Sequence, residues 1–257
     1  MKEILVEAKS LPEAYHASLK ALAENGEHTP CPDYNTNQKE CSMTIVVNEP
    51  LSEPMISRLF IGGFKELEQY RREMLDGILD FEIERGNWEY TYHDRMAHYN
   101  SRDGYKDQIQ FVIDDLKRNP SSRRAVIDIR DNAHDLGSDD PACLQHIQFF
   151  IRNDALHCKV LFRSNDACKA TYMNAFALIM LQKRVADALG VPVGTYTHRA
   201  NSFHCYERDY GMLDGYVKRI QTSELDDVTY EYEDVWKPMM EAVDGEIDAM
   251  VEELKNR

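Results

Sequence analysis

Four short patterns between Cys143 and Tyr206 carry side chains that could do chemistry. Pro141-Ala142-Cys143 stands just ahead of a strand pattern. Arg163-Ser164-Asn165-Asp166 closes the next strand. Asn174 lies in a long apolar helix pattern, and Ser202-Phe203-His204-Cys205-Tyr206 closes a third strand. A thiol, an arginine, an amide and a His-x-Tyr pair suit a phosphorylated ring compound held against a sulfur nucleophile. Cys143 is the best nucleophile among the six cysteines (31, 41, 143, 158, 168 and 205), because it sits in a loop entering a strand, where a side chain can face a cleft. Cys158 and Cys205 fall inside strand patterns and read as small core residues. A guanidinium beside a thiol favours the thiolate. Arg163 ends the strand expected to pair with the one after Cys143, so the two are expected to meet. From the residues alone, an inert Cys143 and a nucleophilic one both stay open.

These side chains need strands and a buried helix to position them. Residues 145–152 and 156–163 read as two strands, with Asn153-Asp154 as a tight hairpin turn. In the second strand Leu156, Cys158, Val160 and Phe162 share one face, and Arg163 projects from the other. Residues 172–189 read as the longest apolar helix, with Gly190 after its end. A buried Asn174 needs partners for two donors and an acceptor, from a neighbouring loop or from a ligand. Residues 195–206 alternate as a strand, which puts His204 and Tyr206 on one face. Residues 11–25, 65–79, 107–117 and 236–255 read as further helices by apolar period. Residues 43–47, 88–92 and 125–129 have strand composition, and 27–42 and 131–140 read as loop. Ser121-Ser122-Arg123-Arg124 precedes a strand. Paired arginines there suit either a plain solvated surface or a phosphate. The pattern as a whole predicts one α+β domain over residues 1–257, with a mixed or antiparallel sheet packed with helices.

The composition narrows the partners. The 257 residues carry a formal net charge of −15, which argues against nucleic acid as the main partner. No apolar run approaches the roughly 18 residues of a membrane span. The first residues lack the apolar core of a signal peptide, so a cytoplasmic protein is expected. The cysteines form no C-x-x-C pair and are not clustered, so free thiols and no metal are expected.

Taken in order and spacing, the motifs resemble thymidylate synthases and the related pyrimidine-nucleotide hydroxymethylases. The likeness is carried by Pro-x-Cys143, Arg163-Ser164-x-Asp166, Asn174, His204-x-Tyr206, Ser-Arg123-Arg124 and Tyr90-Thr91-Tyr92-His93-Asp94-Arg95. It is clearest over residues 58–210, and the last motif looks most like the shorter archaeal-type members. The resemblance implies an α+β fold with a mixed sheet and a sheet-mediated homodimer. It implies a transferase that moves a one-carbon unit from 5,10-methylenetetrahydrofolate to C5 of a pyrimidine nucleotide. Cys143 would add to C6, with Arg163, Tyr92 and Glu73 as further catalytic residues and Glu68 as an alternative proton relay. Arg163 and Ser164 would hold the phosphate, together with Arg123 and Arg124 reaching across from the second subunit. Asn174 would read the base edge, and His204 with Tyr206 would hold the sugar. Asp166 would lie near the folate.

An amide at 174 favours uracil over cytosine, so dUMP conversion to dTMP is the expected reaction. Three departures leave a hydroxymethyl product as the alternative. Leu144 stands where many members have histidine. No Arg-Thr-Gly phosphate loop is recognisable, and Arg58 is only a weak substitute. The sequence ends Glu-Glu-Leu-Lys-Asn-Arg257 in place of a short apolar tail that would exclude water from the reactive intermediate.

Overall fold

Local capping signals fix the first helix, and hydrophobic alternation fixes the sheet. The computed structural model describes residues 1–257. The chain opens with strand β1 (Glu3–Ala8), helix α1 (Leu11–Asn25), strands β2 (Glu27–Cys31), β3 (Thr36–Val47) and β4 (Ile56–Ser57), and helix α2 (Phe64–Asp76). There follow α3 (Phe81–Glu84), α4 (Tyr92–Ala97), β5 (Tyr99–Ser101), β6 (Gly104–Lys106), α5 (Gln108–Arg118), β7 (Val126–Asp128) and α6 (Asn132–Asp135). The last third is β8 (Leu144–Arg152), β9 (Ala155–Asp166), α7 (Thr171–Leu189), β10 (Val193–Tyr206), α8 (Tyr210–Thr222), β11 (Thr229–Tyr230), α9 (Lys237–Ala242) and α10 (Asp244–Lys255). Helix α1 starts under a capping box, in which Ser10 Oγ accepts from Glu13 N–H and the Glu13 carboxylate accepts from Ser10 N–H.

The main sheet is mixed, as expected, with strand order β1-β3-β10-β9-β8-β7 and β2 added beside β3. Strands β10 and β9 run parallel, while β9, β8 and β7 are antiparallel to one another. The β8–β9 hairpin turns on Asn153 and Asp154, both with positive φ, as a two-residue turn requires. On β9 the face made by Leu156, Cys158, Val160 and Phe162 is fully buried. Helices α1, α5, α7 and α8 pack against the sheet, and this side holds the core. The opposite face carries half-exposed side chains, among them His146, Gln148, Phe150, Leu161 and Arg163. Helix α7 is buried along most of its length and ends on Gly190, which is left-handed. No helix is long and apolar enough to cross a membrane.

Four expectations need correction. Residues 131–140 are not all loop, because Asn132–Asp135 form the short helix α6 under the cap that Asp131 makes by accepting from Ala133 N–H. Residues 27–42 are not loop, because β2 and the first half of β3 form a hairpin turned on left-handed Asn35. Both strands are largely solvated there, so no alternation marks them, and Pro30 is tolerated on an edge strand. Residues 88–92 form no strand. Their aromatic composition serves a cleft wall, and the segment ends where Thr91 Oγ1 caps α4 by accepting from Asp94 N–H. The terminal helix is two helices, α9 and α10, with the break at Val243. Asp244 and Glu246 in the first turn of α10 favour a new helix start there.

Candidate active site

The register of three strands assembles the core of the site. Leu144 pairs with Phe162, so Arg163 lies level with Cys143, and Arg163 N–H donates to Cys143 O at 2.8 Å. The Arg163 guanidinium turns back onto the same loop, donating from Nε to Ala142 O (3.1 Å) and from Nη2 to Pro141 O (2.6 Å). The arginine therefore fixes the backbone that presents the thiol. On the other side, Leu144 N–H donates to the Tyr92 hydroxyl at 3.3 Å. Strands β9 and β10 are in register with Ser164 opposite Ser202 and Asp166 opposite His204. This places Ser164 Oγ 3.3 Å from His204 Nδ1. His204 Nε2 is buried and has no partner, so a ligand hydroxyl is what the position can accept. The Tyr206 ring stands edge-on to His204, with centroids 4.8 Å apart.

A second set of residues lies on helices. Asn174 is buried on α7, and its Oδ1 accepts from the Tyr70 hydroxyl on α2. The start of α7 is tied to the sheet by Asn165, whose Oδ1 meets both Thr171 Oγ1 (2.7 Å) and His198 Nε2 (2.9 Å). A cleft of about 370 Å³ opens beside this set, lined among others by Tyr70, Glu73, Leu79, Trp88, Tyr90, Tyr92 and Asp140. Tyr90 and Tyr92 pack at 5.7 Å, and Tyr70, Tyr90 and Tyr92 all lie within electrostatic reach of Cys143. Leu79 also packs against Val243, Ile247 and Val251, so α10 and the break before it back the cleft wall. Gly77 ends α2 with φ +64, and a Cβ there would strike the His93 ring, so this turn into the cleft segment needs glycine.

Charge at the site departs from one expectation. Arg163 does pull the Cys143 thiol down, but burial pushes it up more strongly and Asp140 adds to that, so the thiol lies above its ordinary range. Burial also raises the Glu73 carboxyl, against a hydrogen bond from Gln69. Burial lowers His204, which is therefore neutral near pH 7.

Of the residues singled out in the sequence, Cys143, Arg163, Ser164, His204, Tyr206, Tyr92 and Asn174 are brought together, with Glu73 on the adjoining cleft wall. Glu68 is drawn away, buried in an ion pair with Arg71. Asp166 is half-buried, and its Oδ1 accepts from Cys168 and Lys169 N–H, which shapes the turn into α7. The Arg58 guanidinium lies over the Tyr230 ring, 3.9 Å from its centre. Arg123 and Arg124 are exposed and make no ion pair. Val126 pairs with Gln148, so Arg124 is level with Phe150, six residues along β8 from Leu144 and about 20 Å from it. They do not reach Cys143 of their own chain. Tyr70, Tyr90 and Asn165 were not expected at the site. Tyr90 and Asn165 lay inside the quoted motifs with no role of their own, and Tyr70 showed only an apolar period. Asp80, Asp94 and His98 could converge on a metal ion, but both Asp80 oxygens are already taken by Thr91 and His93.

Comparison with known proteins identifies the family. A family model described as thymidylate synthase matches residues 60–240. The chain belongs to the thymidylate synthase family. The "Putative thymidylate synthase" of Methanocaldococcus jannaschii is 32% identical over 224 residues, covering 83% of this chain and 96% of the relative. The protein of the same description from Methanococcoides burtonii is 28% identical over 217 residues, covering 84% and 96%. Thymidylate synthase A of Bacillus subtilis, a thermostable enzyme, shares the fold with a TM-score of 0.66 at 17% identity, over 82% of this chain and 84% of that one. The family is one of methyltransferases that bind a nucleotide and use methylenetetrahydrofolate as cosubstrate. The match extends beyond residue 210 and takes in α8 and most of α9, which the motifs alone did not reach.

Proposed function

We propose that the protein is a thymidylate synthase, converting dUMP and 5,10-methylenetetrahydrofolate to dTMP and dihydrofolate. The observation that carries this reading is the row Cys143, Arg163, Ser164, His204 along the heads of β8, β9 and β10, with an aromatic cleft at its side. In this reading Arg163 and Ser164 bind the 5′-phosphate. His204, with its free buried Nε2, and Tyr206 bind the sugar hydroxyl. Asn174 reads the base edge, accepting from N3–H and donating to O4. Cys143 sulfur adds to C6, its proton leaves, and C5 becomes the carbon nucleophile that takes the one-carbon unit. Burial holds the thiol protonated at neutral pH, so attack on C6 requires that its proton be given up. Glu73, with its raised carboxyl, is suited to relay protons at the base. In the same reading Asp166 lies near the folate.

Arg123 and Arg124 complete the phosphate site from a second subunit, across the half-exposed sheet face. The distance of about 20 Å along β8 supports donation between chains. Mixing Cys143→Ala protein with an Arg123→Gln/Arg124→Gln double variant tests it. Each is inactive alone, and a mixed dimer regains one whole site. If mixing restores nothing, cross-subunit donation is wrong.

One observation favours a second reading. Helix α10 is held against Leu79, and its last turn is pinned where Arg85 donates to Leu254 O. It backs the cleft wall and does not cover the mouth, so water entering there would give a 5-hydroxymethyl product. Incubation with dUMP, dCMP or CMP and methylenetetrahydrofolate separates the two. Dihydrofolate with dTMP supports the first reading. Tetrahydrofolate with a hydroxymethyl nucleotide replaces it by the second.

A further inference from the structure

Helices α2 and α7 pack side by side and bring Tyr70 against Asn174. The Tyr70 hydroxyl donates to Asn174 Oδ1 and makes no other hydrogen bond. Asn174 is 5% exposed, and its Nδ2 has no partner within the protein. A carboxamide reads with two ends: its oxygen accepts and its nitrogen donates. Turned over by half a rotation, it presents the opposite pattern. Uracil and cytosine differ in the same sense. Uracil offers a donor at N3 and an acceptor at O4, whereas cytosine offers an acceptor at N3 and a donor at N4. An amide free to turn over would read both bases.

We infer that Tyr70 is the positioning residue that holds the Asn174 amide in one orientation and so sets which pyrimidine the site accepts. This rests on the reading that Asn174 faces the base. A phenol has a single hydrogen to donate. Burial and the neighbouring Glu73 charge raise Tyr70 far above its ordinary range, so that hydrogen is always present. With the amide turned over, Nδ2 would face the phenol oxygen and the phenol hydrogen would lose its acceptor. In the structure that hydrogen goes to Asn174 Oδ1 and to no other acceptor. An unmade hydrogen bond at this part-buried position corresponds to about a tenfold preference for the orientation seen.

Tyr70→Phe removes the hydrogen and keeps the ring, so packing of α2 on α7 is retained. The measurement is the ratio of Kd values for dUMP and dCMP by calorimetry, with the corresponding kcat/KM ratio. The wild-type protein prefers dUMP. In Tyr70→Phe that preference falls by about tenfold, the worth of one such hydrogen bond. A merely structural role for Tyr70 would weaken both nucleotides in proportion and leave the ratio fixed, which would overturn the inference. In an Asn174→Ala background, Tyr70→Phe leaves the ratio unchanged, because the residue acts through the amide. A further change there would also overturn it. Equal wild-type binding of both nucleotides refutes the inference alone. Binding of neither refutes the proposed function itself.

Discussion

Arg95 holds the cleft wall together, and removing it should have a large effect on stability. The side chain is 6% exposed, with Nη2 3.0 Å from Asp135 Oδ1 and Nη1 3.5 Å from Asp131 Oδ2. Its guanidinium lies 5.7 Å from the centre of the Tyr90 ring, which packs on Tyr92 beside Cys143. Arg95→Met fills similar volume but leaves two nearly buried carboxylates without a cation. Breaking such a pair by deleting one partner costs about 3–5 kcal/mol. Asp135 keeps the Asp131 N–H, and Asp131 keeps Ala133 N–H and His134, which places the loss near the lower end. For a chain of this size about 3 kcal/mol lowers Tm by about 6–12 °C. Thermal unfolding followed by circular dichroism reads this directly. Arg95→Met/Asp135→Asn should be more stable than Arg95→Met, since the second change removes the charge that the first left unpaired. A fall of less than about 2 °C, or a double variant less stable than the single one, refutes the reasoning.

Three further outcomes follow from the site and its surroundings. Alkylation of Cys143 by iodoacetamide should be half-maximal above the pH of an ordinary thiol, about 8.5. Arg163→Gln should move it higher still, and an unmoved midpoint would show that the guanidinium charge does not reach the sulfur. Glu73→Gln should lower kcat by about 100-fold or more if the carboxyl relays protons, with nucleotide binding retained by calorimetry. Loss of binding in place of turnover would assign Glu73 to the wall alone. His16, buried against Ser57, has its pKa lowered to about 4, so between about 6.5 and 4 the unfolded chain takes up a proton that the folded protein refuses. His16 alone should contribute on the order of 3 kcal/mol to the decline in stability as the pH falls from about 6.5 to about 4, and His16→Gln should remove that share of the slope in urea unfolding.

Much of the site was legible because strands keep a two-residue period. Once β8 and β9 are joined by the Asn153-Asp154 turn, their register brings Arg163 within one residue of Cys143, and a bulge between Leu144 and His146 sets the two level. The same period places His204 and Tyr206 together. Helix contacts were not legible in this way. Tyr70 reads as one more apolar position on α2, because sequence shows which residues share a face but not which helix that face will meet. Asn165 was seen only as the variable position of a motif, yet its bonds to Thr171 and His198 anchor α7 to the sheet. The net rise of the Cys143 thiol was hidden for a related reason. The sign of an arginine's effect can be read from sequence, but the extent of burial that opposes it depends on the whole fold. The hairpin of β2 and β3 escaped because solvated strands carry no alternation.

The distribution of charge around Cys143 also bears on how a ligand must lie. The cleft wall carries Glu73, Glu89 and Asp140 and no basic side chain, whereas Arg163 stands behind Cys143 with Ser164 and His204 beyond it. A phosphate dianion placed in the cleft would face three carboxylates, and placed at Arg163 it gains charge-assisted hydrogen bonds. A phosphorylated ring compound is thus oriented by repulsion at one end as well as by attraction at the other. The neutral ring is left beside Tyr90, Tyr92 and the sulfur. In a chain of net charge −15 this local reversal is what makes an anionic substrate compatible with the protein at all. The raised thiol fits the same distribution: burial and Asp140 favour the neutral sulfur, which adds no negative charge to that wall.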